Sequence, residues 1–220
     1  MNVITALEVQ KRDKERVNVF LDNEYAFSLA LIHAAPLRKG QTLSDQEINQ
    51  LKTQDQLQRA IDQAARFLSY RPRSSNEVRD NLKKRFDEAT IDMAIQKLAE
   101  LNYLDDHAFA RYWVENRDTF KPRSTSALRY ELRQKGLEQS VIDEALDDYD
   151  NTQSAYRAAQ AKARRFRALT VAEFRNKMSS YLQRRGFDYG TIREALAQLE
   201  DDLVEQDADF FASDDNHPDR

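Results

Sequence analysis

A chain of 220 residues, 40% hydrophobic and 33% charged, is long enough to bury a substantial core, while its four glycines and four prolines speak against a turn-dense sandwich or a Gly-rich nucleotide-binding fold. The absence of cysteine excludes a disulfide framework, a thiolate metal site and a cysteine nucleophile. No apolar run has the length of a signal peptide or a membrane span, so the expectation is a soluble protein of the reducing cytoplasm.

The net charge of -4 is unevenly spread. Residues 200–220 hold nine acids against Arg220, about -8, which leaves the preceding part at about +4. Residues 156–187 carry nine Lys/Arg and one acid, Glu173, and such a basic segment suits an anionic partner.

In chain order, Ile4 to Val9 and Val17 to Leu21 are β-rich runs, and Tyr25, Phe27 and Leu29 alternate with small residues. This predicts a hairpin with a third strand, too small to stand alone and therefore docked on helices. A capping box, Ser44-Asp45-Gln46-Glu47, predicts a short helix, and residues 1–54 are assigned to this N-terminal extension. From Asp55 the period becomes helical: Leu57, Ala60, Ile61, Ala64, Phe67 and Leu68 share a face until the Arg71-Pro72 break. Ser74 with Glu77 opens a second helix carrying Val78 and Leu82, and Phe86-Asp87 opens a third carrying Ile91, Ala94, Ile95 and Leu98.

This three-helix pattern recurs at a spacing of fifty residues. Pro72-Arg73-Ser74 matches Pro122-Arg123-Ser124, Val78 and Leu82 match Leu128 and Leu132, and these match Met178 and Leu182 in a third copy. The fold class is therefore mainly α: tandem three-helix, helix-turn-helix-like modules over residues 55–103, 104–150 and 151–204, forming an elongated array behind a small β-hairpin extension. Lys135-Gly136-Leu137 and Arg185-Gly186-Phe187 end the second helices of the later copies, whereas the first reads Lys84-Arg85-Phe86 and must end without a left-handed glycine. Residues 205–220 form an acidic tail, poor in apolar content and expected to be disordered.

The sequence offers no phosphate loop, nucleophile elbow or metal-ligand spacing. His33, His107 and His217 are read as surface or packing residues, and Ser74, Ser124 and Thr170 as helix N-caps. Asp105-Asp106 reads as a helix start, and Phe109, Tyr112 and Trp113 as a core stripe. The cations at repeated module positions are the candidate partner-binding residues: Arg71, Arg73, Lys83, Lys84, Arg123, Arg129, Arg133, Lys135, Arg184 and Arg185. One alternative is a direct DNA-binding protein that places such helices in a groove; a hydrolase or nuclease has little support.

The runs RPRSSNEVRDNLKKRF, IQKLAELNYLDDHAFARYWVENR and LRYELRQKGLEQSVIDEAL together resemble the RecX regulatory proteins. The most specific part is Tyr103, Leu104, Asp105 and Asp106 with Phe109, Ala110 and Trp113, read as a structural motif at the joint between the first two modules. The N-terminal ITALEVQKRDKERVNVFLDNEYAFSL resembles the β-containing extension of longer members; Asn102 stands where glycine is common. The resemblance implies a crescent of three-helix repeats lying in the helical groove of the RecA filament on single-stranded DNA. There it would restrain ATP hydrolysis and strand exchange or promote disassembly, as a monomer without cofactor or metal, in DNA repair, recombination and the SOS response.

Overall fold

The computed structural model describes residues 2–212, in two compact units, Met1–Asp105 and Asp106–Arg220. The first unit opens with an antiparallel sheet of β1 (Asn2–Val9), β2 (Arg16–Leu21), β3 (Glu24–Ala30) and β4 (Thr42–Leu43), in the order β3-β2-β1-β4. Alternation sets the buried face: Val17, Val19 and Leu21 point inward, with Ile4, Phe27 and Leu29 beside them. The turn between β2 and β3 uses Asp22 and Asn23 at φ 51° and 74°, and these short polar side chains tolerate the left-handed region. A short helix, α1 (Leu31–Ala34), follows the third strand, and the two-residue β4 is an addition to the expected hairpin.

Two expected helices are one. α2 runs without interruption from Asp45 to Leu68, behind a complete capping box of Ser44 and Glu47, and so crosses the boundary expected at 54/55. The chain between the two apolar patterns is QLKTQDQ, which contains no glycine or proline to break a helix. The stripe falters there because the helix changes partner: Ile48 and Leu51 pack on the sheet, whereas Ala60 and Ala64 enter the first three-helix core. Asp55, between them, is buried yet charged. It accepts from Arg16 at 2.8 and 3.2 Å and from the backbone N–H of Ala30 at 2.8 Å, thereby tying the end of β3 to the helix.

The rest of the first module is α3 (Ser75–Leu82) and α4 (Glu88–Glu100), with Val78, Leu82, Ile91 and Ala94 fully buried. The second unit contains α5 (Asp106–Phe120), α6 (Thr125–Gln134) and α7 (Gln139–Leu146), then α8 (Asn151–Ala163), α9 (Val171–Gln183) and α10 (Tyr189–Gln206). A 3-10 turn, Arg164–Phe166, separates α8 from α9. Ser74, Ser124 and Thr170 cap the second helix of their modules, and Leu128, Leu132, Phe174, Met178 and Leu182 are fully buried like Val78 and Leu82. The third module departs from the others by one extra N-terminal turn on α9, which brings in Phe174.

Helix ends explain the glycine pattern. At Gly136 (φ 77°) and Gly186 (φ 92°) the next residue's N–H reaches back to Leu132 or Leu182, and the glycine's own N–H reaches Arg133 or Gln183. α3 closes instead with Arg85 and Phe86 both donating to Leu82, with neither residue at positive φ. Asn102 (φ 58°) ends α4 by the same double bond as the glycines, with Tyr103 N–H on Leu98 and its own N–H on Ala99.

The tail expected to be disordered from residue 205 is placed through Ala212. α10 continues to Gln206, and Phe210 is buried against the third core. Its two phenylalanines supply the burial that its acidic composition conceals. The remainder of that tail, residues 213–220, lies outside the described residues. Among the described residues no helix is long and apolar enough to cross a membrane.

Two substitutions check these assignments. Asp55→Ala removes the counter-ion of Arg16, which keeps only its bonds to Ser28, and strands the Ala30 N–H. Because Arg16 keeps some solvent access, the expected cost is about 2–4 kcal/mol, read as lost hydrogen-exchange protection in β2 and β3. Asn102→Gly should leave stability unchanged or raise it by a few tenths of a kcal/mol, and Asn102→Val should lower it by about 1–2 kcal/mol in urea unfolding.

Candidate partner-binding surface

In each module the second helix carries an arginine five residues after its N-cap: Arg79, Arg129 and Arg175. All three reach the third helix. Arg79 pairs with Asp92 at 2.6 Å and with Glu88, Arg129 pairs with Asp143, and Arg175 pairs with Glu200 at 2.5 Å. The guanidinium beside Asp92 gains from that hydrogen bond, which raises its pKa against the opposing effect of burial, and Glu200 does the same for Arg175. Arg129, taken from the sequence as a contact candidate, is therefore a clamp between helices of its own module.

Several other candidates are also engaged. Arg71 donates to Glu77 at 2.7 Å, and Arg73 lies 3.8 Å from the same carboxylate with its guanidinium 4.0 Å from the Phe67 ring centre. Arg73 has a lowered pKa, first from burial and then from the charge of Arg71. In the second module Glu131 gathers Trp113 Nε1 (2.9 Å), Arg117 Nε (2.7 Å) and Arg123 Nε (3.0 Å). Arg117 and Lys135 lie over the Trp113 ring at 4.3 and 4.8 Å. Trp113 is thus half-buried under cations, Phe109 and Ala110 are core, and Tyr112 is exposed, so the expected core stripe is reduced to Phe109 with part of Trp113. Leu104 is buried in the first core, Tyr103 is exposed, and Asp106 opens α5.

The cations left outermost cluster where the second helices end. Lys83 and Lys84 follow buried Leu82, Arg133 follows Leu132, and Arg184 follows Leu182 and Gln183; all four are exposed. Lys83 lies 3.8 Å from Asp80, Arg133 donates to the neutral Gln139, and Lys84 and Arg184 have no ion pair among the described residues. Positive charge there also suits the negative end of the helix dipole, which is a structural reason for the repeat.

Sequence reasoning missed two exposed rings at the same module position. Tyr70 and Phe120 each stand four residues before the N-cap serine of the next helix and are 83% and 79% exposed. Phe166, at the matching place in the third module, is partly buried against the core. The fifty-residue spacing that revealed the cations would also have revealed these rings.

Between the second and third modules, Gly186 does more than turn a helix. A Cβ there would meet Ser124 Oγ at 2.6 Å, so the glycine allows the α9 terminus to seat on the α6 N-cap. Ser124 N–H donates to the Arg185 carbonyl (3.2 Å), and Arg185 donates to the Pro122 carbonyl (2.8 Å) while lying over Tyr181. Nearby, Asp118 accepts from Arg157 at 2.5 and 2.6 Å and from Ser154 at 2.7 Å. Burial pushes the Asp118 carboxyl up, but the bonds from Arg157 and Ser154 and the charge of Arg157 together hold it below the usual range. The Tyr149 hydroxyl lies 2.8 Å from the Arg123 carbonyl, which can only accept, and its pKa is pushed up to about 12, first by burial.

Among the described residues no group of His, Asp and Glu is arranged to hold a metal; His107 lies 2.9 Å from Glu144 and His33 ends near the close of α1. His217 lies outside the described residues.

Fold and surface together define a tandem three-helix repeat protein with an N-terminal sheet and cationic helix ends. Four family models match in succession: "Regulatory protein RecX N-terminal domain" at residues 2–44, and the first, second and third three-helix domains of RecX at 60–98, 105–146 and 148–196. Regulatory protein RecX of Bacillus subtilis (strain 168) is 34% identical over 206 residues, 91% of this chain and 78% of that one. The Clostridium botulinum (strain Eklund 17B / Type B) protein of the same name is 34% identical over 90% of this chain and 96% of its own. A crystal structure of regulatory protein RecX superimposes with TM-score 0.67 at 28% identity, covering 91% of this chain and all of that one. Another, RecX from Lactobacillus salivarius, shares the fold at TM-score 0.58 and 24% identity over 66% of this chain. The chain belongs to the RecX family of regulatory proteins.

The seam between the second and third modules has a pH signature. A carboxylate whose folded pKa is depressed contributes stability that is present above its unfolded value and lost as pH falls through its folded one. Asp118→Asn should therefore cost about 1–3 kcal/mol at neutral pH, with the difference from the parent fading below about pH 4; urea unfolding across pH measures it.

Proposed function

We propose that this chain binds the RecA filament on single-stranded DNA, within its helical groove, and restrains RecA ATP hydrolysis, strand exchange and filament growth without chemistry of its own. It acts as a cytoplasmic monomer on this reading, with DNA met chiefly through the filament. The observation that carries the proposal is the recurrence of exposed cations at one place, the end of the second helix, in a chain of the RecX family. A periodic partner is matched by periodic contacts, and acidic protein surface and phosphate both attract positive helix ends.

The ten cations named from the sequence divide into two tiers on this reading. Lys83, Lys84, Arg133 and Arg184 make the primary contacts. Arg71, Arg73, Arg123, Arg129 and Lys135 are held in their own modules, Arg185 is held on Pro122 of the module before, and all six support them. Tyr70 and Phe120 add exposed rings beside Arg71 and Lys121. Independent reading of a DNA groove is less favoured, because the clamps at Arg79, Arg129 and Arg175 turn cations of the second helix toward the third helix.

The test is RecA ATPase on single-stranded DNA with increasing protein. The parent chain should inhibit it, and joint Glu substitution of Lys83, Lys84, Arg133 and Arg184 should weaken inhibition by about tenfold or more, roughly a kcal/mol or two of binding. Folded parent protein in stoichiometric excess with no effect on the rate would overturn the proposal. Tight, strongly salt-dependent binding to DNA without RecA, abolished by the same changes, would favour the direct reading.

A further inference from the structure

The N-terminal sheet has two edges, and the chain closes one while leaving part of the other open. Register decides which backbone groups face outward. Gln10 N–H donates to the Arg16 carbonyl at 2.9 Å, so in alternation Glu8 and Ala6 turn their backbone groups toward Asn18 and Phe20 of β2, while Leu7 and Val9 turn theirs away. The same alternation leaves Ser28 and Ala30 outermost on β3. There side chains complete the edge: the Ser28 carbonyl accepts from Arg16 at 3.1 Å, and Ala30 N–H donates to Asp55 at 2.8 Å. On the β1 side, β4 pairs with Asn2 and Val3, and Ile4 is closed by Gln41 and Gly40 at 2.9 and 2.8 Å. Past Ile4, no backbone or side-chain group among the described residues pairs with the outward N–H and C=O groups of Leu7 and Val9.

The side chains beside this gap are apolar. Val9 is 50% exposed, and Leu7, opposite Val19, is only partly buried at the margin of the sheet's core. Just beyond, Lys11, Arg12 and Lys14 of the β1–β2 loop are exposed and have no ion pair among the described residues, whereas Asp13 accepts from the Glu15 N–H at 3.1 Å. A second copy of this chain fits the gap poorly. Antiparallel pairing centred on residue 8 would set Glu8 against Glu8. Pairing centred on Leu7 would set Val9 against Thr5, inside the bulge that shifts the register between Ile4 and Ala6.

We infer that the open edge of β1 takes an extended segment of a partner polypeptide as an added strand. The segment runs antiparallel to β1, exchanges backbone hydrogen bonds with Leu7 and Val9, and places apolar side chains beside theirs. Outward donors and acceptors on every second residue are matched by another extended backbone and by no helix, whose own groups are already paired. An antiparallel segment reaches the β1–β2 loop with its N-terminal end, where acidic residues meet Lys11 and Arg12.

The probe is the peptide acetyl-Asp-Asp-Val-Thr-Val-Thr-amide, with a control peptide carrying Pro in place of the second Val, followed by NMR on the complete chain. Before peptide is added, the Leu7 and Val9 amides should exchange with solvent about a hundredfold faster than those of Ala6 and Glu8. The peptide should then slow their exchange and shift both amides saturably, and the Pro peptide should bind about tenfold more weakly or worse. Val9→Pro removes an outward donor that β2 does not use, so the sheet persists while peptide binding falls by about tenfold. Lys11→Glu/Arg12→Glu should weaken binding about threefold to tenfold at low salt, a difference that fades in about 0.5 M salt. Protection of Leu7 and Val9 in the free chain, no shift at millimolar peptide, equal binding of the two peptides, or parental binding by Val9→Pro overturns the proposal. Shifts at these amides that grow with protein concentration alone assign the edge to a second copy and overturn it equally. Neither RecA nor DNA is present, so the result is separable from failure of filament binding.

Discussion

The second helix of each module is the element on which the rest depends. It is short, 8 to 13 residues, and buries Val78 and Leu82, Leu128 and Leu132, or Phe174, Met178 and Leu182 with no solvent access. A helix of that length is marginal by propensity alone, so its stability comes from this stripe and from its ends. The N-cap hydroxyls of Ser74, Ser124 and Thr170 satisfy orphan amides at one end, and the clamps from Arg79, Arg129 and Arg175 fix the third helix alongside. An ion pair that keeps solvent access contributes modest energy, yet its fixed geometry sets the register of two small helices. What remains outward is the last turn, where cations are compatible with the dipole and available to a partner.

The same economy of parts appears between the second and third modules, where structural groups serve both neighbours. Ser124 caps α6 through its side chain, while its own N–H takes the Arg185 carbonyl at the end of α9. Gly186 is required there by φ and by space at once. Asn151 accepts from Thr125 N–H and donates to Thr191, so one side chain at the start of α8 touches the second and third helices of successive modules. A joint made of such shared groups resists sliding, because a shift of one residue would unpair several buried polar atoms together.

Much of this was legible in the amino-acid sequence. Caps, fifty-residue apolar spacing and the glycines at 136 and 186 are local or periodic signals, and they placed the three modules. Asp55 was opaque because its partners, Arg16 and Ala30, are remote in sequence and belong to a sheet; without them a buried aspartate reads as the gap between two helices. The pairing of Arg129 with Asp143 was opaque for a related reason, since charge periodicity locates a cation on a helix and says nothing of the acid that faces it. The tail was judged by its carboxylates, yet Phe210 and Phe211 find the extra turn of α9, and no repeat elsewhere in the chain announces that pairing. Tyr70 and Phe120 escaped notice although their spacing was visible, because apolar rings at helix ends are commonly buried.

The division between held and free cations also accounts for where positive charge stays exposed in a chain with 34 Lys/Arg against 38 Asp/Glu. Glu77, Glu131, Asp143 and Glu200 each neutralise an arginine that stiffens its module. Their effect is to subtract charge from the helix flanks and leave it at the tips beyond Leu82, Leu132 and Leu182. Charge concentrated at repeated module positions, on helices held by their own ion pairs, is the pattern on which the proposed reading of a repeating partner rests. A smooth basic helix face would attract a repeating partner and a uniform polyanion alike, so on the proposed reading selectivity arises from the acids that remove charge as much as from the cations that carry it.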